Sequence, residues 1–90
     1  MKILPKTINS KGFTYTQIIR DGKKAIYRQD KEGYTSPSFE VIKIGSHNGY
    51  ELNNTKIPAA ETYPSTSLWG IQGWTFRNID DAKKKFKKVS

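Results

Sequence analysis

The sequence contains no cysteine, one histidine and one methionine among its 90 residues. Without cysteine there is no disulfide framework, no thiol nucleophile and no cysteine zinc site. Small secreted domains commonly depend on such staples, so this absence is what a protein of the reducing cytoplasm would show. No stretch approaches the roughly 20 apolar residues needed to cross a bilayer. The opening MKILPKTINSKG sets only Ile3 and Leu4 together before Pro5, too little for a secretory signal core. No His, Asp and Glu recur at metal-ligand spacing, and no glycine run makes a phosphate loop, so no metal or cofactor is expected. The single histidine, His47, falls in a predicted turn with Asn48 and Glu51 nearby. It forms no evident serine triad, and the chain is read as non-catalytic.

Charge and aromatic rings are what the sequence does have. Sixteen basic residues against eight acidic give a formal charge of +8. The excess is uneven: residues 1–28 hold seven basic and one acidic, residues 29–76 three and five, and residues 77–90 six and two. A field of this sign favours polyanionic partners, although solubility is a plainer use for it. A chain of this length forms one small domain, 1–90, and buries roughly 60% of the surface its unfolded form exposes. With hydrophobic residues at 34% and aromatic residues at 12%, the rings must carry much of that burial.

Residues 1–11 read as a loose N-terminal arm interrupted by Pro5. In GFTYTQIIRDGKKAIYRQD, two β-rich runs flank Asp21-Gly22, a hairpin signal. A two-residue loop would pair Arg20 with Lys23, and a three-residue loop Ile19 with Lys23. The longer loop sorts the side chains better: Phe13, Tyr15, Gln17, Ile19, Ala25 and Tyr27 on a core face, with Tyr15 opposite Tyr27. Thr14, Thr16, Ile18, Arg20, Lys24, Ile26 and Arg28 then lie on a basic outer surface. KEGYTSP is a connecting turn. SFEVIKIG is a strand with apolar residues on both faces, the pattern of a central strand covered on both sides. Ser46 to Gly49 read as a turn, YEL and TKIPA as a short hairpin around Asn53-Asn54, and 60–73 as a packed loop.

A helix is predicted over 79–89. Asn78 is a good N-cap, with Asp81 three residues on. Ile79, Ala82, Phe86 and Val89 make one narrow apolar stripe. The expected fold class is therefore α+β: an antiparallel sheet of four to five strands with one C-terminal helix packed on one face. Trp74 and Phe76 are expected beneath that helix, and Trp69 is the tryptophan expected to be exposed.

Lys83, Lys84, Lys85, Lys87 and Lys88 occupy five of six consecutive positions. The helix macrodipole rewards acids in the first turn and some lysines in the last. Five is more than it needs, and like charges this crowded are mildly unfavourable without an anion. These lysines, with Arg20, Lys24 and Arg28 from the hairpin and Trp69 as a stacking ring, make a candidate surface for nucleic acid, DNA or RNA. The other candidate is a protein-interaction module, with an acidic protein partner met by the same surface. The apolar stripe is narrow and needed by the sheet, so a membrane is not an expected partner.

Phe39-Glu40-Val41, Glu61-x-Tyr63-Pro64, Trp69-Gly70 and Gly73-Trp74-Thr75-Phe76, followed by a short helix bearing an alanine and a phenylalanine, carry a resemblance. The chain resembles a group of small uncharacterised proteins from tailed phages and mobile elements of gut bacteria. The resemblance covers roughly the last fifty residues. It implies a setting, inside a bacterial cell with a phage as the source, and brings no activity, substrate or catalytic residue with it.

Overall fold

The computed structural model describes residues 2–89; Met1, the first residue of the expected arm, and Ser90 lie outside them. In chain order the elements are β1 (Thr7–Ser10), β2 (Phe13–Asp21), β3 (Lys24–Lys31), β4 (Ser38–Lys43), β5 (Gly45–His47), β6 (Tyr50–Leu52), β7 (Thr55–Ile57), β8 (Ala60–Thr62), β9 (Gly73–Phe76) and α1 (Ile79–Lys88). A single 3-10 turn, Thr66–Leu68, precedes β9. The main sheet is antiparallel, in the order β1-β2-β3-β4-β9, while β5 pairs with β8 and β6 with β7. This is the α+β arrangement that the sequence pattern indicates, with five strands and the helix laid over one face.

The apolar residues of β4 explain why the sheet is covered on both sides. Successive strand residues point to opposite faces. Val41 joins Ile26, Ala82, Phe86 and Val89 in a core under α1, flanked by Phe39, Trp74, Phe76 and Ile79. Ile42 joins Leu4, Ala25, Tyr27 and Ile44 in a second core on the other face, flanked by Ile8, Tyr15, Tyr63 and Trp69. Ala25, Ile26, Tyr27, Val41 and Ile42 are all fully buried. Each large apolar side chain among them contributes about 1.5–3 kcal/mol by leaving water. Two thin cores thus share the two central strands.

The hairpin register differs from the expected one. Asp21 pairs with Lys24 around the two-residue turn Gly22-Lys23, and Gly22 takes the first turn position at φ 61°, where positive φ is required. A bulge at Ile18 then shifts the ladder, so that Ile19 faces Ile26 whereas Gln17 faces Tyr27 and Tyr15 faces Gln29. One extra residue moves everything beyond it to the opposite face. Ile19 accordingly leaves the face of Tyr15 and Tyr27, and Arg20 takes its place beside Ala25. Ile26, expected on an outer basic surface, is buried beneath α1.

The first eleven residues are not a loose arm. Thr7–Ser10 form the edge strand against β2, with Ile8 opposite Tyr15. Leu4 is buried in the second core, and Lys2 exchanges backbone hydrogen bonds with Ala59 and Glu61. The predicted hairpin around Asn53-Asn54 is present, both asparagines holding positive φ. Ser46 and His47 lie in β5 rather than in a turn, and part of the predicted 60–73 loop is β8.

Candidate functional site

Helix α1 is held at both ends. Asn78 Oδ1 accepts from the Asp80 backbone N–H at 2.7 Å, satisfying one of the helix's free donors. At the other end Lys24 Nζ donates to the carbonyl oxygens of Phe86 and Val89, at 2.9 and 3.1 Å. The apolar stripe faces the sheet, with Ala82 and Phe86 buried. At 100° per residue, Lys84, Lys87 and Lys88 then fall on the opposite side and Lys83 flanks the stripe, and all four are exposed. Lys85 falls at the boundary, half-buried, with its Nζ 4.2 Å from the centre of the Trp74 ring. Among the described residues, the ion pairs within 4 Å are Arg20–Glu61 and Arg28–Asp30; the helix's own acids, Asp80 and Asp81, lie in its first turn and make no such pair with the lysines.

The hairpin cations do not simply extend this patch. Lys24 shares the helix side of the sheet but is occupied in closing the end of α1. Arg28, two residues beyond Ile26, also lies on the helix side; its guanidinium pairs with Asp30 at 3.1 Å, and both side chains are about half exposed. Arg20 is on the other face. It holds Glu61 through two bonds, at 2.7 and 2.6 Å, and bonds the Gly22 carbonyl at 3.0 Å. Hydrogen bonds from Arg20 and from the Leu4 backbone N–H pull the Glu61 carboxyl down to about 2. Arg20 is therefore a tie between β2 and β8.

The two tryptophans lie on opposite faces of the sheet. Trp74 packs under α1 as expected. Trp69 is half-buried on the far side, and its indole N–H donates to Thr75 Oγ1 at 2.8 Å. Its ring lies so close over Gly73 that a Cβ there would come within 2.5 Å of it. The glycines of WGIQG thus have separate tasks: Gly70 turns the chain at φ 89°, and Gly73 gives the indole room. Trp69 does not stand beside the lysines of α1.

Trp69 instead walls a cavity of about 570 Å³, with Tyr15, Gln29, Tyr63 and Glu40 among the other lining residues. Glu40 is only 7% exposed. The Tyr63 hydroxyl donates to its Oε1, and the Thr75 hydroxyl reaches Oε2 at 3.5 Å. Burial raises the Glu40 carboxyl above the ordinary range, partly offset by these two hydroxyls. Burial and the adjoining carboxylate push the Tyr63 phenol up as well. Neither Glu40 nor Tyr63 stands out as a site residue in the linear sequence. The available signal was an acid in the middle of the apolar run FEVI, on a strand read as covered on both sides.

His47 accepts the Gly49 N–H on Nδ1 at 3.2 Å and sets its ring edge-on to Tyr50, a turn-closing role. Among the described residues no three His, Asp or Glu side chains gather as a metal site, and no helix is long and apolar enough to cross a membrane. Compared with models of protein families, with curated proteins and with solved structures, the chain matches none of them.

Proposed function

We propose that the protein is a non-catalytic nucleic-acid-binding protein that uses the outer side of α1. The observation that carries this reading is the set of four exposed lysines, Lys83, Lys84, Lys87 and Lys88, around the outer part of the helix, none of them within ion-pair distance of a carboxylate among the described residues. The helix dipole rewards the lysines of the last turn, but like charges one turn apart repel by a few tenths of a kcal/mol per pair. A polyanion reverses the sign of that term and releases its own counterions on binding. Contacts from lysine ammonium groups to phosphates position a strand but do not read its sequence. Of the hairpin cations, Arg28 shares the helix side of the sheet and is half exposed, but it is paired with Asp30. The proposed setting is the bacterial cytoplasm, which the resemblance to phage and mobile-element proteins favours.

Fluorescence anisotropy with single-stranded DNA, duplex DNA and RNA across a salt series tests the reading. The variant carries glutamine at positions 83, 84, 87 and 88. Binding should weaken linearly in log salt, and the variant's slope should be shallower by about three units if all four lysines meet phosphates. Absence of binding at moderate salt, or an unchanged slope in the variant, would overturn it. A salt-resistant complex with an acidic protein would put a protein partner in its place.

A further inference from the structure

The cavity on the face opposite α1 is independent of the lysine surface and differs from it in chemistry. Its one charged lining residue is Glu40, and the rest of its wall is aromatic, apolar or neutral polar. Tyr15 and Tyr63 meet at a tilt of 51°, with ring centres 5.7 Å apart, so they form a corner rather than a stack. Trp69 closes another side, locked by Thr75 and by the space over Gly73.

Glu40 is anomalous as a structural residue. The residue as a whole is more than nine-tenths buried, and among the described residues no cation stands within ion-pair distance of its carboxylate. Two hydroxyls are its hydrogen-bond donors, one of them at the long limit of 3.5 Å. Isolating a carboxylate in this way is unfavourable unless it takes up a proton or a counter-charge is supplied. Violations of this kind, with no gain to the fold, are where function is expected.

We propose that this cavity binds a small organic cation, an alkylated ammonium or guanidinium group, between the rings of Tyr15, Tyr63 and Trp69 with Glu40 as its counter-ion. The faces of aromatic rings attract cations, most strongly where water is excluded. A buried carboxylate supplies the net charge that rings lack. The neutral walls accept the apolar body of such a cation, and the volume suits a small ligand. Glutamine at position 40 would keep an acceptor for Tyr63 and remove the counter-charge.

The test is a titration of the full chain at constant ionic strength, followed by calorimetry and by the NMR signal of the Trp69 indole N–H. The probes are choline, which has no N–H, butylguanidinium, which presents several, and neohexanol, the neutral carbon isostere of choline. At least one cation should shift the Trp69 signal, and the shifts of the two identify which headgroup fits. Neohexanol should bind about tenfold more weakly than the better-binding cation, and Glu40→Gln should lower that cation's affinity at least about tenfold. Tyr15→Leu, which leaves Glu40 and its donors in place, should weaken binding as well, and it carries the test if Glu40→Gln does not fold. The proposal is overturned if neither cation moves the Trp69 signal, if neohexanol binds as well as the better-binding cation, or if folded Glu40→Gln keeps full affinity. A response to guanosine in place of both cations would overturn it in favour of a nucleobase. None of these outcomes depends on whether α1 binds nucleic acid.

Discussion

Lys24 clasps Phe86: its Nζ donates to the Phe86 carbonyl oxygen at 2.9 Å and lies 4.6 Å from the centre of the same residue's ring. A second bond to the Val89 carbonyl places the ammonium at the negative end of α1, where its charge opposes the helix dipole. A cation that sequence alone offers as a phosphate ligand is therefore a strut between β3 and the helix. Lys24→Met should lower stability by about 1–2 kcal/mol in urea unfolding, since charge-assisted bonds to the last carbonyls are lost. Its effect on nucleic-acid affinity should be smaller than that of Lys84→Gln, measured side by side at one salt concentration.

Gly73 is required by what lies over it. Three atoms of the Trp69 ring stand 2.5 to 2.9 Å from where a Cβ would sit. Gly73→Ala forces the indole aside and should cost about 1–3 kcal/mol, the usual range for overpacking. Thermal unfolding of Gly73→Ala alone and combined with Trp69→Ala checks the cause. The second change should absorb most of the penalty of the first, and additive losses would point elsewhere.

Acid should loosen the tie between β2 and β8. With Glu61 depressed to about 2, the Arg20 pair contributes its full stability above the ordinary carboxylate value near 4.5 and loses it as pH falls towards 2. The wild type should accordingly lose stability across that window. Arg20→Gln should flatten this part of a plot of urea midpoint against pH, while starting from a lower midpoint at neutral pH.

Glu40 acts with the opposite sign. A raised folded-state value means that the folded protein holds the proton more tightly than the unfolded chain. Stability from this group is thus present below the ordinary value of 4.5 and declines as pH rises through the elevated one. Glu40→Gln should remove the decline and leave the protein at least as stable as the wild type at neutral pH. A variant less stable than wild type at pH 7 would show that the carboxylate is a structural asset.

Much of this molecule is a local matter and could be read along the chain. The α1 boundaries follow from Asn78, the stripe from Ile79 to Val89 and the acids of the first turn. The two-sided burial of β4 follows from apolar residues on both of its faces. Asn53-Asn54 specifies a turn because asparagine tolerates positive φ better than most residues. The β2–β3 register was not legible. Ile18 and Ile19 are adjacent and chemically alike, so either could be the extra residue or the paired one, and alternation reads equally well on both sides of a bulge.

By itself, the sequence determined that this chain makes a sheet, ends in a capped helix and presents five lysines within its last eight residues. Steric periodicity, capping and charge act over a few residues, and a few residues suffice to see them. Only the tertiary structure decided which charges remain free. Arg20 finds Glu61 across 41 positions and Lys24 reaches Phe86 across 62, so both are spent inside the fold. It also decided that Trp69 and Trp74, five residues apart, face opposite ways. A glycine gives one of them room, and a helix arriving later in the chain covers the other. The Glu40 cavity belongs wholly to this level, since its walls come from β1, β2, β3, β4 and the loop before β9.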